Sequence, residues 1–112
     1  MEKLIINIAK DFKRTLGARY IYEGKYSGEL FLRDFLLPKF LEAKEKDTIL
    51  EIYLDGVFGY PSSFVSGSFG KLSLDFTPKV VLKHISLISD NTIRIEKIVR
   101  EIEEPTKKPP IK

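Results

Sequence analysis

From Thr48 to Asp55 the side chains alternate, with Leu50, Ile52 and Leu54 on one side and Ile49, Glu51, Tyr53 and Asp55 on the other. A period of two over that length defines a β-strand with one face in a core and the other only partly covered. The strand runs into Asp-Gly-Val-Phe-Gly-Tyr-Pro-Ser-Ser-Phe-Val-Ser-Gly-Ser-Phe-Gly, residues 55–70, whose glycine and proline turn the chain and whose two serines open a helix. The rest of the chain must pack around this strand, turn and helix. With 112 residues it can build one core and not two.

Leu4, Ile6 and Ile8 alternate with Ile5, Asn7 and Ala9 and predict a first strand, after which Lys10 to Gly17 reads as a loop. Tyr20 and Tyr22 alternate with Arg19, Ile21 and Glu23, which predicts a short edge strand within residues 19–26. Ser27 caps a helix whose first turn carries Glu29 at the positive end of the dipole. Its apolar stripe is Leu32, Phe35, Leu36, Phe40 and Ala43, widened by Leu30, Phe31 and Leu37. Pro38 removes one donor inside this pattern and predicts a kink or brief break between Leu37 and Lys39. The charged run from Glu42 to Asp47 is a solvated helix end and turn.

Further on, Ser62 is the expected N-cap, accepting from the amide of Phe64 or Val65, which leaves Ser63 free in the first turn. Gly67 permits close packing and Gly70 ends the helix. Leu72, Leu74 and Phe76 alternate like a strand, while Thr77 and Pro78 open a short helix to Lys83 that precedes a strand over Ile85 to Ile88. Asp90 or Asn91 caps a last helix with a stripe of Ile95, Ile98, Val99 and Ile102. Residues 103–112, with three prolines and three lysines, read as a disordered tail, so the domain covers 1–104 and the tail 105–112. Asn7 and Glu51 would be costly beneath a second helical layer, so the elements add up to an α/β layer pair with helices mainly on one face of the sheet.

Chemistry narrows the function. The chain has no cysteine, hence no thiol nucleophile, disulfide or thiolate metal site, and its one histidine, His84, lies in an apolar run where an imidazole is structural. No metal or cofactor is expected. Asp55 with Ser62 or Ser63 would suit an acid and a nucleophile, but no base accompanies them, which argues against catalysis. Neither a Gly-Lys-Ser/Thr loop nor a Gly-x-Gly-x-x-Gly run is present, so nucleotide binding is set aside. The net charge of +3 is carried by Lys107, Lys108 and Lys112 of the tail, so charge names no partner. Lys10, Lys13, Arg14, Arg19 and Lys25 with nearby tyrosines form the alternative, a small nucleic-acid-associated module, though without an RNP-like or Gly-clamp motif. Tyr53 with Tyr20 or Tyr22 on the mixed sheet face would support a homodimer. The apolar run Leu4 to Ile6 is too short for a signal or a membrane span, so the expected location is the cytoplasm, with no membrane partner.

The two serines sit where unpaired helix donors and the dipole favour an anion. Here the segment Leu54-Asp-Gly-Val-Phe-Gly-Tyr-Pro-Ser-Ser-Phe-Val resembles the strand-to-helix signature of STAS domains, the fold of anti-sigma factor antagonists, which ends in Asp-Ser-Ser-Gly. Over most of residues 5–104 the chain resembles the divergent bacterial and phage STAS-like family of unknown function. The similarity runs through Ile8-Ala-Lys-Asp-Phe, Gly17-Ala-Arg, Tyr26-Ser-Gly-Glu, Leu36-Leu-Pro, Gly59-Tyr-Pro-Ser-Ser-Phe and Phe69-Gly. Pro61 stands where the signature has an acid and Phe64 where it has a glycine. The resemblance implies a single domain with a four- to five-stranded mixed sheet and a non-catalytic, regulatory role in binding a protein. Its implied switch is phosphorylation at the position of Ser63, with Ser62 as the alternative, and its implied partners are a histidine-kinase-like ATPase or an anti-sigma factor. Contact is expected through the loop before Ser62 and the first turns of the helix: Asp55, Phe58, Tyr60, Pro61, Phe64, Ser66 and Gly67.

Overall fold

In a computed structural model that describes residues 3–106, the strands β1 (Leu4–Asn7), β2 (Leu50–Tyr53) and β3 (Ile85–Ile88) lie side by side in chain order and run parallel. Leu4 pairs with Leu50 and Leu50 with Ile85, so Leu4, Ile6, Leu50, Ile52 and Ile85 bury the same face. The opposite face carries Ile5, Glu51 and Ser86, none of them buried. Right-handed crossovers that step across a sheet in one direction put every connecting helix on one side, and the burial pattern agrees.

The sheet differs from the four- to five-stranded mixed sheet implied by the resemblance: among the described residues it has three strands, all parallel. The expected edge strand at residues 19–26 is instead a closed loop with one 3-10 turn at Ile21–Glu23. Its backbone donors are taken locally. The Tyr20 amide donates to Glu23, the Ile21 amide to Glu29, and the Gly17 amide to the Tyr26 carbonyl that shuts the loop. Tyr26, at φ 58°, lies outside extended space, so alternation in the sequence cannot become a ladder.

Helix α1 runs through residues 28–45 as Gly28–Phe31, a π turn at Leu32–Leu36, and Leu37–Glu45. Ser27 caps it as expected, its Oγ accepting from the Leu30 amide at 3.1 Å. Pro38 neither stops nor breaks the rod. The widened turn comes just before it, with the Leu37 amide donating to the Leu32 carbonyl five residues back. A proline has no N–H and its ring crowds the carbonyl four residues earlier, and a π turn is one way to make that room.

Helix α2 spans residues 62–76 as Ser62–Val65, a π turn at Ser66–Gly70, and Lys71–Phe76; a further π turn, Ile8–Phe12, follows β1 where the first strand was expected to continue through Ile8 and Ala9. The stretch from Leu72 to Phe76 is therefore helical, and Gly70, at φ −64°, does not end it. Thr77 does. Its φ of 79° leaves the helical region, and its Oγ1 accepts from the Val80 amide to start α3 (Pro78–His84) at once. The short helix and β3 after it follow the sequence expectation, as does α4 (Thr92–Glu103), capped by Asn91 Oδ1 on the amides of Ile93 and Arg94.

Between sheet and helices lies one core, in which Phe31, Phe40, Phe64 and Phe69 are fully buried with Ile6, Ile52, Leu54 and Ile98. Phe31 joins its parts, with ring centroids 5.7 Å from Phe64 and 6.1 Å from Phe69. His84 is buried with Nδ1 3.0 Å from the Thr48 carbonyl, a bond that requires the proton on Nδ1 and ties α3 to the start of β2. No helix among the described residues is long and apolar enough to cross a membrane. Of the expected tail, residues 107–112 lie outside the described range, while Thr106 bonds back to Glu101 of α4.

Candidate functional site

Leu54 extends β2 by one bond, its amide donating to the Ile88 carbonyl at 2.9 Å, and Asp55 then stands at the carboxyl end of the sheet. The Asp55 carboxylate accepts from Ser89 Oγ at 2.5 Å and from the Asp90 amide at 3.0 Å. These bonds, the hydroxyl first, favour the ionised form and hold the Asp55 pKa below its ordinary value. Asp55 is thus a brace between the turns that follow β2 and β3. Gly56, at φ 90°, supplies the reversal that a side chain would strain.

The loop is then fastened from two sides. Arg14 Nε donates to the Gly56 carbonyl at 3.1 Å, the Phe58 amide donates to the Arg14 carbonyl, and the guanidinium lies 5.6 Å from the Phe58 ring centroid. From α4, Arg94 donates to the carbonyls of Leu54 and Phe58, and Lys97 Nζ donates to that of Tyr60. Tyr60 is buried, its hydroxyl donates to the Leu54 carbonyl at 2.6 Å, and burial pushes its pKa well up. The result is a rigid loop that keeps Phe58 76% exposed.

The helix start differs from expectation by one residue. Pro61, at φ −58° and ψ 142°, occupies the cap, and its carbonyl accepts from the Val65 amide. Ser62 and Ser63 are already helical, and neither hydroxyl caps the helix. Proline's locked φ explains the shift, because it suits the residue that leads into the first turn. Ser62 is exposed and Ser63 half-buried.

Of the residues expected to meet a partner, Asp55, Phe58 and Pro61 are exposed. Tyr60, Phe64, Ser66 and Gly67 face inward. Phe64 packs against Phe12 and Phe31, so it belongs to the core and not to a contact surface. A neighbour that the sequence did not point to is Ile93, 73% exposed, which shares one hollow with Asp55 and Val57 and another with Ser62, Lys97 and Arg100.

Of the basic and aromatic residues near the N-terminus, several pair with one another or with the loop, Arg19 against the Tyr20 ring among them. Lys13 sits 4.8 Å from the Tyr26 ring centroid and Arg14 holds the loop just described. Tyr20 and Tyr22 stack on each other at 5.3 Å in the closed loop, not on the sheet face that carries Tyr53. Among the described residues no group of three or more His, Asp or Glu side chains is placed to hold a metal ion.

Ser66 and Gly67 border a separate cavity of about 540 Å³ between the π turns of α1 and α2. Leu32, Leu37 and Leu74 give it apolar walls, and Arg19, Arg33 and Lys71 bring cationic side chains. Its frame depends on a close backbone crossing, since a Cβ on Gly67 would lie 2.7 Å from the Arg19 carbonyl oxygen. An isolated glycine inside a helical pattern was the one sequence signal for it.

Fold and site together define an α/β domain with a three-stranded parallel sheet, a helical layer on one face and a braced loop at the carboxyl end of the strands. No protein-family model matches the chain, and neither the curated proteins nor the solved structures contain a match to it.

Proposed function

We propose that this domain is a non-catalytic regulatory module that binds a protein partner at the carboxyl end of β2 and the first turn of α2, in the manner of the STAS-like proteins its sequence resembles. One observation carries the reading: Phe58 is 76% exposed on a loop that Arg14, Arg94 and Lys97 hold by its carbonyls, while Ile93, 73% exposed, shares a hollow with Ser62. A rigid loop that presents a bare aromatic ring is a ready anchor for a protein surface. Phosphorylation of Ser63, or of exposed Ser62, is the switch. A phosphate there adds about −1.5 to −2 charges at a helix N-terminus, which stabilises it locally while changing what the neighbouring surface attracts. The partner is a kinase of the histidine-kinase-like ATPase type or an anti-sigma factor.

Intact mass of the protein from its native cells, with peptide mapping across residues 60–71, tests the switch: the expected result is one added phosphate on Ser63 or Ser62, absent from the matching alanine variant. Cross-linking in the same cells with wild type and Phe58→Ala tests the contact. The variant is expected to lose its cross-linked partner and to melt at the wild-type temperature, because the Phe58 ring is 76% exposed. An unmodified serine pair together with an undiminished partner in the variant would end the proposal.

The nucleic-acid alternative draws less support, because Lys13 and Arg14 are engaged within the chain. Binding that weakens steeply between two salt concentrations in a filter assay would revive it.

A further inference from the structure

The cavity between the π turns of α1 and α2 shares no lining residue with the hollows around Ile93. Its walls are the widened turns themselves, with Leu32 and Arg33 from one, Ser66 and Gly67 from the other. Such turns are rare in helices and recur at functional sites. Three cations meet one carboxylate here, that of Glu29, which already accepts from the Ile21 amide at 2.8 Å. Arg33 is paired with Asp34 and Lys71 with Asp75. Arg19 is the exception: its guanidinium has no acceptor or carboxylate among the described residues, and its Nε is buried. The Tyr20 ring, 5.8 Å away, flanks it. Ser66 borders the same cavity.

We propose that this cavity binds a small organic monocarboxylate, with its apolar body against Leu32, Leu37 and Leu74 and its carboxylate on Arg19. A partly buried guanidinium without an acceptor is costly, and a carboxylate is the group that matches its planar fork. The volume of about 540 Å³ is that of a small-ligand site and leaves ample room for a body beyond the anion. An inorganic anion would leave the leucine walls uncovered, and a neutral apolar molecule would leave Arg19 as it is. The inference does not depend on the protein-binding reading, since it uses a different surface and a different ligand.

Titration of the isotope-labelled full chain with decanoate and naphthylacetate, followed by backbone amide shifts, tests it. The amides of Arg19, Ile21, Ser66, Gly67 and Lys71 are expected to move together. Neutral naphthylacetamide is expected to bind at least about tenfold more weakly than the acid, and inorganic phosphate alone to leave these amides unmoved. Arg19→Met, which keeps the apolar stem and removes the charge, is expected to weaken acid binding by a similar factor. Leu74→Glu places a like charge at a position already 47% exposed and is expected to abolish it with no change in melting temperature. Leu74→Glu decides the question alone if Arg19→Met does not fold. Equal binding of acid and amide, full binding by a folded variant, a phosphate effect matching that of the acids, or still amides at millimolar acid would each overturn the proposal.

Discussion

Asp55 is the residue whose position at the strand end suggested chemistry and whose bonds reveal a brace. Its pKa is lowered from 3.8, mainly by the Ser89 hydroxyl and then by the Asp90 amide. The folded form therefore holds its negative charge to lower pH than the unfolded chain does. That contribution is complete above the unfolded pKa and is lost as the pH falls through the lower folded value. Urea midpoints measured between neutral pH and about pH 3 are expected to fall less steeply for Asp55→Asn, which starts less stable because its single amide oxygen replaces only one of the two acceptors. Identical pH profiles would mean that the brace contributes nothing through ionisation. In the sequence Asp55 is visible as a strand-end acid, whereas its partners, 34 and 35 residues away, are not.

Among the helices, two glycines of α2 make a controlled pair. A Cβ on Gly67 meets the Arg19 backbone at 2.7 Å, and backbone cannot step aside cheaply. On Gly70 it meets Glu101 Oε2 at 2.6 Å, the far end of a flexible side chain. Gly67→Ala is expected to cost about 1–3 kcal/mol from overpacking. Gly70→Ala, whose helical φ of −64° suits alanine but whose Cβ displaces a Glu101 carboxylate that Thr106 holds, is expected to cost less than Gly67→Ala. Chemical denaturation of both variants checks the sign of the difference. A destabilised Gly70→Ala beside an unchanged Gly67→Ala would contradict the crossing of α2 over the loop. Helix existence and apolar stripes are legible in the sequence, but the true end of α2 is not. Gly70 has the right residue type for a stop, but its helical φ of −64° carries α2 on to Phe76.

At the scale of the molecule, stability rests on Phe31, which is fully buried and contacts the rings of Phe12, Phe35, Phe64 and Phe69. Phe31→Ala is expected to cost about 3–5 kcal/mol. Since small domains hold only about 5–15 kcal/mol in total, the variant should be partly unfolded at moderate temperature. The Phe58→Ala change, at an exposed ring, should stay within about 0.5 kcal/mol of wild type. Calorimetric melting of the two variants separates an anchor of the core from an anchor on the surface, and comparable losses would mean that Phe58 is structural.

Local pattern placed strands within residues 4–9, 48–55 and 85–88, a cap at Ser27, another at Asp90 or Asn91, and the one-sided burial of the sheet, because side-chain period and capping chemistry act over a few residues; it did not show that β1 stops at Asn7, where Ile8–Phe12 forms a π turn. Tertiary structure alone decided that residues 19–26 close into a loop, since that choice depends on where Glu29 places its carboxylate. It also brought Arg19 to the cavity between residues 32–36 and 66–70, because contacts between distant segments are set by how helices cross and leave no period in the chain.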